Sequence, residues 1–238
     1  MQLKVSDLIS GYGNIEVIKS LTIQVGEGEI VGLFGPNGHG KTTLLRTISG
    51  LIQPQSGEIQ FMGNKIENLS PRQIVELGLI HVPQGNTLFP RMSVQENLNL
   101  GAYTKRAWNY RTTNLDKVFA LFPRLKERRK QHARTLSGGE RQMLSIGLGL
   151  MGIPSLLMLD EPSLGLAPKI KDELAQAIGE IAKTGVTMVI VDQDIELLLG
   201  FCDRLSLIEK GQVSLETQET STIKQEEILE MYFGRIAK

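Results

Sequence analysis

Apolar and polar residues alternate in short runs through the first third of the chain, and glycine-rich turns such as Gly26-Glu27-Gly28 separate the runs. A period of two marks strands, so segments 3–9, 21–25, 30–34 and 58–62 are predicted as β-strands. The run Ile30-Val31-Gly32-Leu33-Phe34 has no polar side chain, as a parallel strand covered on both faces requires. From residue 93 to residue 151 the period changes. Leu98 and Leu100 precede a polar stretch, and Leu115, Val118, Phe119 and Phe122 then recur at three-to-four spacing. That spacing predicts a helical lobe inserted into a sheet domain. Alternation of strand and helix resumes with a strand at 156–159, a helix at 170–182 and a strand at 186–191. Segments 205–208 and 212–215 flank Lys210-Gly211 as hairpin arms would, and 223–233 is expected to close the chain as a helix.

Composition narrows this picture. With 238 residues, 41% of them hydrophobic, the chain can bury a substantial core. Its 26 lysines and arginines balance its 26 acidic residues, so no net field draws it to nucleic acid or to anionic lipid. A membrane link is expected to run through a partner. The first ten residues alternate as a strand does and lack the basic start and apolar stretch of a signal peptide. The longest uncharged run, 143–159, is shorter than the roughly 20 residues of a spanning helix and is broken by glycines and Pro154. A cytoplasmic location is the expectation. The single cysteine, Cys202, excludes an internal disulfide and reads as a small buried apolar residue.

Three segments carry candidate chemistry. Residues 35–42, Gly35-Pro36-Asn37-Gly38-His39-Gly40-Lys41-Thr42, match the phosphate-loop pattern and stand between a buried strand and a helical run that includes Thr43. Glycines let backbone N–H groups curl round an anion, Lys41 reaches the terminal phosphates, and Thr42 can hold Mg²⁺. Further on, Leu156-Leu157-Met158-Leu159 delivers Asp160 and Glu161 at the carboxyl end of a strand, where open α/β sheets bind ligands. By itself such a pair is a helix N-terminal charge or a solvated turn. Beside a phosphate loop, Asp160 suits Mg²⁺ and Glu161 suits polarising the attacking water. The third segment, Leu136-Ser137-Gly138-Gly139-Glu140, opens another helix. It reads either as a capping box between Ser137 and Glu140 or as a second anion cradle that closes over another copy's nucleotide.

Taken in order, the 35–42 loop, Gln84, Leu136 to Glu140 with Gln142, and Asp160-Glu161 resemble the ABC transporter ATPase family over nearly the whole chain. The resemblance implies a P-loop NTPase (RecA-like) α/β core, spanning 1–85 and 155–238, with an antiparallel β subdomain. An α-helical subdomain, 86–154, is inserted in it and carries the signature. It also implies head-to-tail dimers with ATP and Mg²⁺ at the interface, the second cassette being the same chain or a sister chain. Tyr12 falls where the family stacks a ring on adenine. Gln84 matches the glutamine that touches Mg²⁺ or the attacking water and links ATP to the membrane subunits. The stretches 121–129 and 160–168 look like cassettes of branched-chain amino acid importers, whose relatives serve urea and short amides. Implied partners are two transmembrane permease subunits and, indirectly, an extracytoplasmic solute-binding protein. No nucleic acid is implied, and the chain is expected on the inner face of the cell membrane.

Three positions depart from the wider family: Gln193 stands for the usual histidine, Ala167 for the usual aspartate, and His39 for the frequent alanine. Gln193 can donate and accept but never carries charge, so catalysis should lean on Glu161. His39 is expected to be a tolerated exposed side chain, and the basic stretch 124–134 a solvated helical face, the alternative for that stretch being direct phospholipid contact. Competing readings are a free-standing cassette of a lipid-exporting ABC system, a non-transport ABC ATPase and a monomeric P-loop phosphotransferase. The last has no use for Leu136 to Glu140.

Overall fold

The computed structural model describes residues 1–85, 87–217 and 220; the helix predicted at 223–233 lies outside them. Two strands, β1 (Leu3–Tyr12) and β2 (Ile15–Val25), pair antiparallel, both longer than the alternation predicted. β3 (Ile30–Phe34) leads through the 35–40 loop into α1 (Lys41–Ile48). β4 (Ser56–Phe61) and β5 (Asn64–Lys65) complete a four-stranded antiparallel sheet in the order β2-β1-β4-β5. α2 (Pro71–Leu77) and β6 (Leu79–Val82) follow.

The predicted helical lobe is present as α3 (Val94–Gly101), α4 (Lys105–Asn109), α5 (Arg111–Leu121), α6 (Pro123–Glu127) and α7 (Gly138–Met151). The chain then returns through β7 (Leu156–Asp160), α8 (Pro168–Ala182), β8 (Thr187–Val191), α9 (Ile195–Leu199) and the hairpin of β9 (Arg204–Glu209) and β10 (Gln212–Glu216). The second sheet runs β10-β9-β3-β8-β7-β6; it is parallel except for the β10 edge.

The parallel sheet is covered on both faces, which explains its unbroken apolar runs. Along β3, Ile30 and Phe34 enter the core shared with the helical lobe and α8, whereas Val31 and Leu33 enter the core shared with α1 and the antiparallel sheet. β7 divides likewise: Leu157 and Leu159 to the first, Leu156 and Met158 to the second. α1 packs Leu44, Leu45 and Ile48 into this second core, so the helix that follows the phosphate loop is wedged between the two sheets. Burying each such side chain contributes about 1.5–3 kcal/mol. Cys202 is buried in the first core, as expected.

His81 of β6 shares a 3.1 Å hydrogen bond with the Ser49 hydroxyl at the end of α1, and its Nε2 is buried without a partner among the described residues. Burial, reinforced by the charge of Arg46, pushes the imidazole down to about 4. The unfolded chain therefore binds this proton more readily than the folded one. The associated stability is fully present above about pH 6.5 and is lost as pH falls toward 4, a loss of about 3 kcal/mol. Urea unfolding of His81→Gln should accordingly lose less stability than the parent between these pH values. Parallel curves for the two proteins would remove His81 from the acid sensitivity.

Candidate functional site

The 35–40 loop leaves β3 with Gly35, Gly38 and Gly40 all at positive φ, and at two of them the surroundings also leave no room for a side chain. Gly35 has φ 142° and Gly40 φ 106°. A Cβ on Gly35 would stand 2.2 Å from the Ile208 carbonyl oxygen, and one on Gly40 2.8 Å from Ile18 Cδ1. The loop is thus pressed against β9 and β2. Asn37 and Gly38 face solvent at its mouth. α1 begins at Gly40 without a side-chain cap, so its first-turn N–H groups are available to an anion. The Lys41 side chain is 4% exposed, and Nζ donates to the carbonyls of Gly35 at 2.7 Å and Pro36 at 2.9 Å. Burial lowers its pKa while Glu161, Asp160 and Asp192 oppose the change. The ammonium stands in a field of carboxylates.

β7 brings the acidic pair to this loop. Thr42 Oγ1 donates to Asp160 Oδ1 at 3.1 Å, while Asp160 Oδ2 is buried with no hydrogen-bond partner among the described residues. Burial raises the pKa of Asp160, partly offset by the Thr42 hydrogen bond. A buried carboxylate oxygen left unpaired beside a hydroxyl is a donor set that suits a hard divalent cation.

Glu161 takes φ 47°, a left-handed conformation rare for a side chain of this size, and its N–H donates to Val191 at 2.7 Å. Its carboxylate is bracketed by two amides: Gln84 Nε2 donates to Oε2 at 2.9 Å and Gln193 Nε2 to Oε1 at 3.0 Å. Three segments distant in sequence thereby meet on one carboxylate. Beneath them lies Asp192, which the sequence reading passed over. Its carboxylate accepts from the Ser163 N–H and hydroxyl and from the N–H groups of Gln193 and Asp194, at 2.7–3.0 Å. This ties the loop after β7 to the loop after β8.

Tyr12 ends β1 as an exposed ring, its hydroxyl accepting from Arg46 of α1 at 3.1 Å. His39 differs from expectation. It is half-buried: Nδ1 accepts from Lys210 N–H at 3.3 Å, and its carbonyl accepts from Gly211 N–H at 3.1 Å. An acceptor here secures the hairpin turn to the phosphate loop, which alanine could not do through its side chain.

The remaining site residues sit on α7. Ser137 caps the helix, accepting from Glu140 N–H at 3.3 Å, while Glu140 accepts from Ser137 N–H at 2.9 Å. The capping-box reading is therefore correct, with Ser137 in an extended conformation rather than in a flexible nest. It does not displace the cradle reading, because Ser137 and Gly138 remain exposed at the helix start. Gly139 is buried, and a Cβ there would meet Ile170 of α8 at 2.5 Å. The basic stretch is only partly a solvated face. Arg128 pairs with Glu140 at 2.7 Å and Arg124 with Glu173 at 2.9 Å.

The family model described as ABC transporter matches residues 18–164, from β2 past the acidic pair. The chain belongs to the ABC transporter family. It is 40% identical over 223 residues to the high-affinity branched-chain amino acid transport ATP-binding protein BraG of Pseudomonas aeruginosa, covering 94% of this chain and 95% of that one. It is 31% identical to the probable branched-chain amino acid transport ATP-binding protein LivF of Archaeoglobus fulgidus, covering 98% of each. Among solved structures it is similar to the ABC transporter cassette MJ1267, with TM-score 0.84 and 25% identity over 98% of this chain and 99% of that one. It is also similar to the ADP- and phosphate-bound dimer of the cassette MJ0796, with TM-score 0.77 and 25% identity over 91% and 98%. This ABC cassette binds nucleotide and hydrolyses ATP in the service of transport. No helix among the described residues is long and apolar enough to cross a membrane.

Proposed function

We propose that the chain powers an importer of branched-chain amino acids, or of a related small polar solute such as urea or an amide, from the inner face of the cell membrane. The names of BraG and LivF support the solute class. The observation that carries the catalytic part is the Glu161 carboxylate, held by Gln84 and Gln193 beside the phosphate loop.

In this reading ATP lies with its phosphates on the 35–42 loop and its base against Tyr12. Lys41 turns from the Gly35 and Pro36 carbonyls to the β- and γ-phosphates. Mg²⁺ would be held by Thr42, Asp160 and Gln84, and would supply positive charge against the charge that develops on the phosphates. Glu161 accepts a hydrogen bond from the attacking water and orients it in line, while the two amides keep the carboxylate aimed. Ser137, Gly138 and Gly139 close over the ATP of the opposite cassette, with Glu140 holding their helix start. The core at 1–85 and 155–238 thus carries the nucleotide, and the lobe at 86–154 reads the partner's.

An apolar groove between the core and the lobe, of about 350 Å³, is lined by Ile74, Ile80, His81, Phe89, Leu100 and Tyr103 and abuts Pro83, next to Gln84. It is the surface on which a permease segment docks, one residue from a glutamine that touches the catalytic carboxylate. An extracytoplasmic solute-binding protein completes the system.

Lys41→Ala tests the nucleotide site. Losing a charge-assisted contact to phosphate should weaken ATP binding about tenfold to a hundredfold in calorimetry and abolish hydrolysis, with the fold intact by circular dichroism. Unchanged affinity would remove the loop assignment. For the solute, the reconstituted complex should drive ATP-dependent uptake of labelled leucine, isoleucine or valine, or of urea or an amide. Uptake of none of these would refute the importer class.

A further inference from the structure

The balanced net charge conceals a segregation. Residues 86–154 hold 12 lysines and arginines against 4 acidic residues, and the rest of the chain 14 against 22. All ten cations from Lys105 to Arg134 are exposed. Arg124 and Arg128 are in ion pairs, whereas Lys105, Lys117, Lys126, Arg129, Lys130 and Arg134 have none among the described residues. The lobe therefore presents a positive surface that whole-chain arithmetic cancels.

Aromatic residues join the cations at one place. Tyr103, Trp108 and Tyr110 are each about half exposed, and Lys105, Arg106 and Arg111 lie among them. No acidic residue occurs between Glu96 and Asp116. The segment is seated rather than loose: Thr104 Oγ1 accepts from Ala107 N–H at 3.2 Å, Ala107 is fully buried, and Arg106 donates to the Ile153 carbonyl at 2.6 Å. The Arg111 guanidinium lies 4.3 Å above the Trp108 ring. Tyr103 also lines the apolar groove, so the aromatic and basic segment continues the rim of that groove.

Indole and phenol rings partition to the headgroup level of bilayers, and lysine and arginine are drawn to anionic leaflets. We propose that segment 103–111 is a contact site for anionic phospholipid headgroups, by which the cassette holds the membrane directly as well as through its permease. The docking reading of the groove supplies only the orientation of this segment; lipid binding itself stands apart from it and from the nucleotide site.

Trp108 is the chain's single tryptophan, so its fluorescence reports the segment without ambiguity. The purified full chain is titrated with vesicles of phosphatidylglycerol and phosphatidylcholine, and separately with phosphatidylcholine alone. On anionic vesicles a blue shift, protection from acrylamide and co-sedimentation that weakens with salt are expected; on neutral vesicles none of these is. Lys105→Gln with Arg111→Gln should lower partitioning about thirtyfold, at about 1 kcal/mol for each cation lost, and leave ATP affinity unchanged. The proposal is overturned by no response to anionic vesicles, by equal response to neutral ones, or by partitioning indifferent to the double substitution. A Trp108 shift produced by detergent-solubilised permease but not by anionic vesicles would assign the segment to a protein contact instead. ATP affinity measured in the same samples separates failure of this proposal from failure of the nucleotide site.

Discussion

Gly138→Asp is expected to bind one ATP per chain with nearly parental affinity, fail to dimerise in the presence of ATP, and lose hydrolysis about a hundredfold or more. The geometry makes this substitution clean. A Cβ at Gly138 meets nothing within 4 Å, and its backbone does not require glycine. Aspartate in the first turn is also favourable to a helix, so the monomer should be as stable as the parent or slightly more so. The carboxylate nevertheless stands at the exposed start of α7, where the sandwich proposed above brings the γ-phosphate of the opposite cassette. Like charges brought together there cost several kcal/mol, enough to keep the sandwich open. Gel filtration with ATP, calorimetry and turnover at several protein concentrations read the three outcomes separately. Parental activity independent of protein concentration would reduce the Leu136 to Glu140 segment to a helix cap.

Glu161→Gln has a comparable effect by the opposite route. The amide keeps the shape of the carboxylate but cannot accept from both Gln84 and Gln193 without one of them turning its own amide. It also loses the charge that polarises water. Turnover should fall about 10²–10⁴-fold while ATP still binds, leaving an ATP-bound dimer that elutes early on gel filtration. Gln193→Ala removes only one of the two amides that aim Glu161, and a hydrogen bond to a charged group of this kind supports about a tenfold loss. A larger loss at Gln193 than at Glu161 would reverse the order of the two residues and make the amide the principal water-positioning group.

How far the sequence disclosed this site depended on whether its parts are local. The phosphate loop, the acidic pair and the capping box are contiguous, and each is legible because neighbouring residues do the work together. Asp192 was not legible, since its meaning lies in donors from Ser163, Gln193 and Asp194 and only the fold joins the first to the others. His39 was misjudged for the same reason: its partner, Lys210, is 171 residues away. α2 could have been found. Ser70, Pro71 and Gln73 form a capping box with proline in the first turn, and Gly78 ends the helix in a left-handed conformation. β6 is only four residues long, too short for periodicity to separate strand from helix. The charge pattern was hidden by summation over two regions of opposite sign.

α7 has a mechanical consequence beyond its caps. At its far end a Cβ on Gly149 would stand 2.7 Å from Val82, and one on Gly152 2.3 Å from Ile80, so the helix bears directly on β6. At its near end it carries Ser137 and Gly138. Between the two lie 14 residues, about 21 Å of stiff rod. α7 is therefore a lever whose fulcrum rests on the strand that leads to Gln84. A tilt of about 10° at that fulcrum sweeps the signature end through about 3.6 Å. Such a stroke exceeds the length of a hydrogen bond, so in the proposed sandwich a small pivot beside the groove would decide whether Ser137 and Gly138 reach the partner's phosphate.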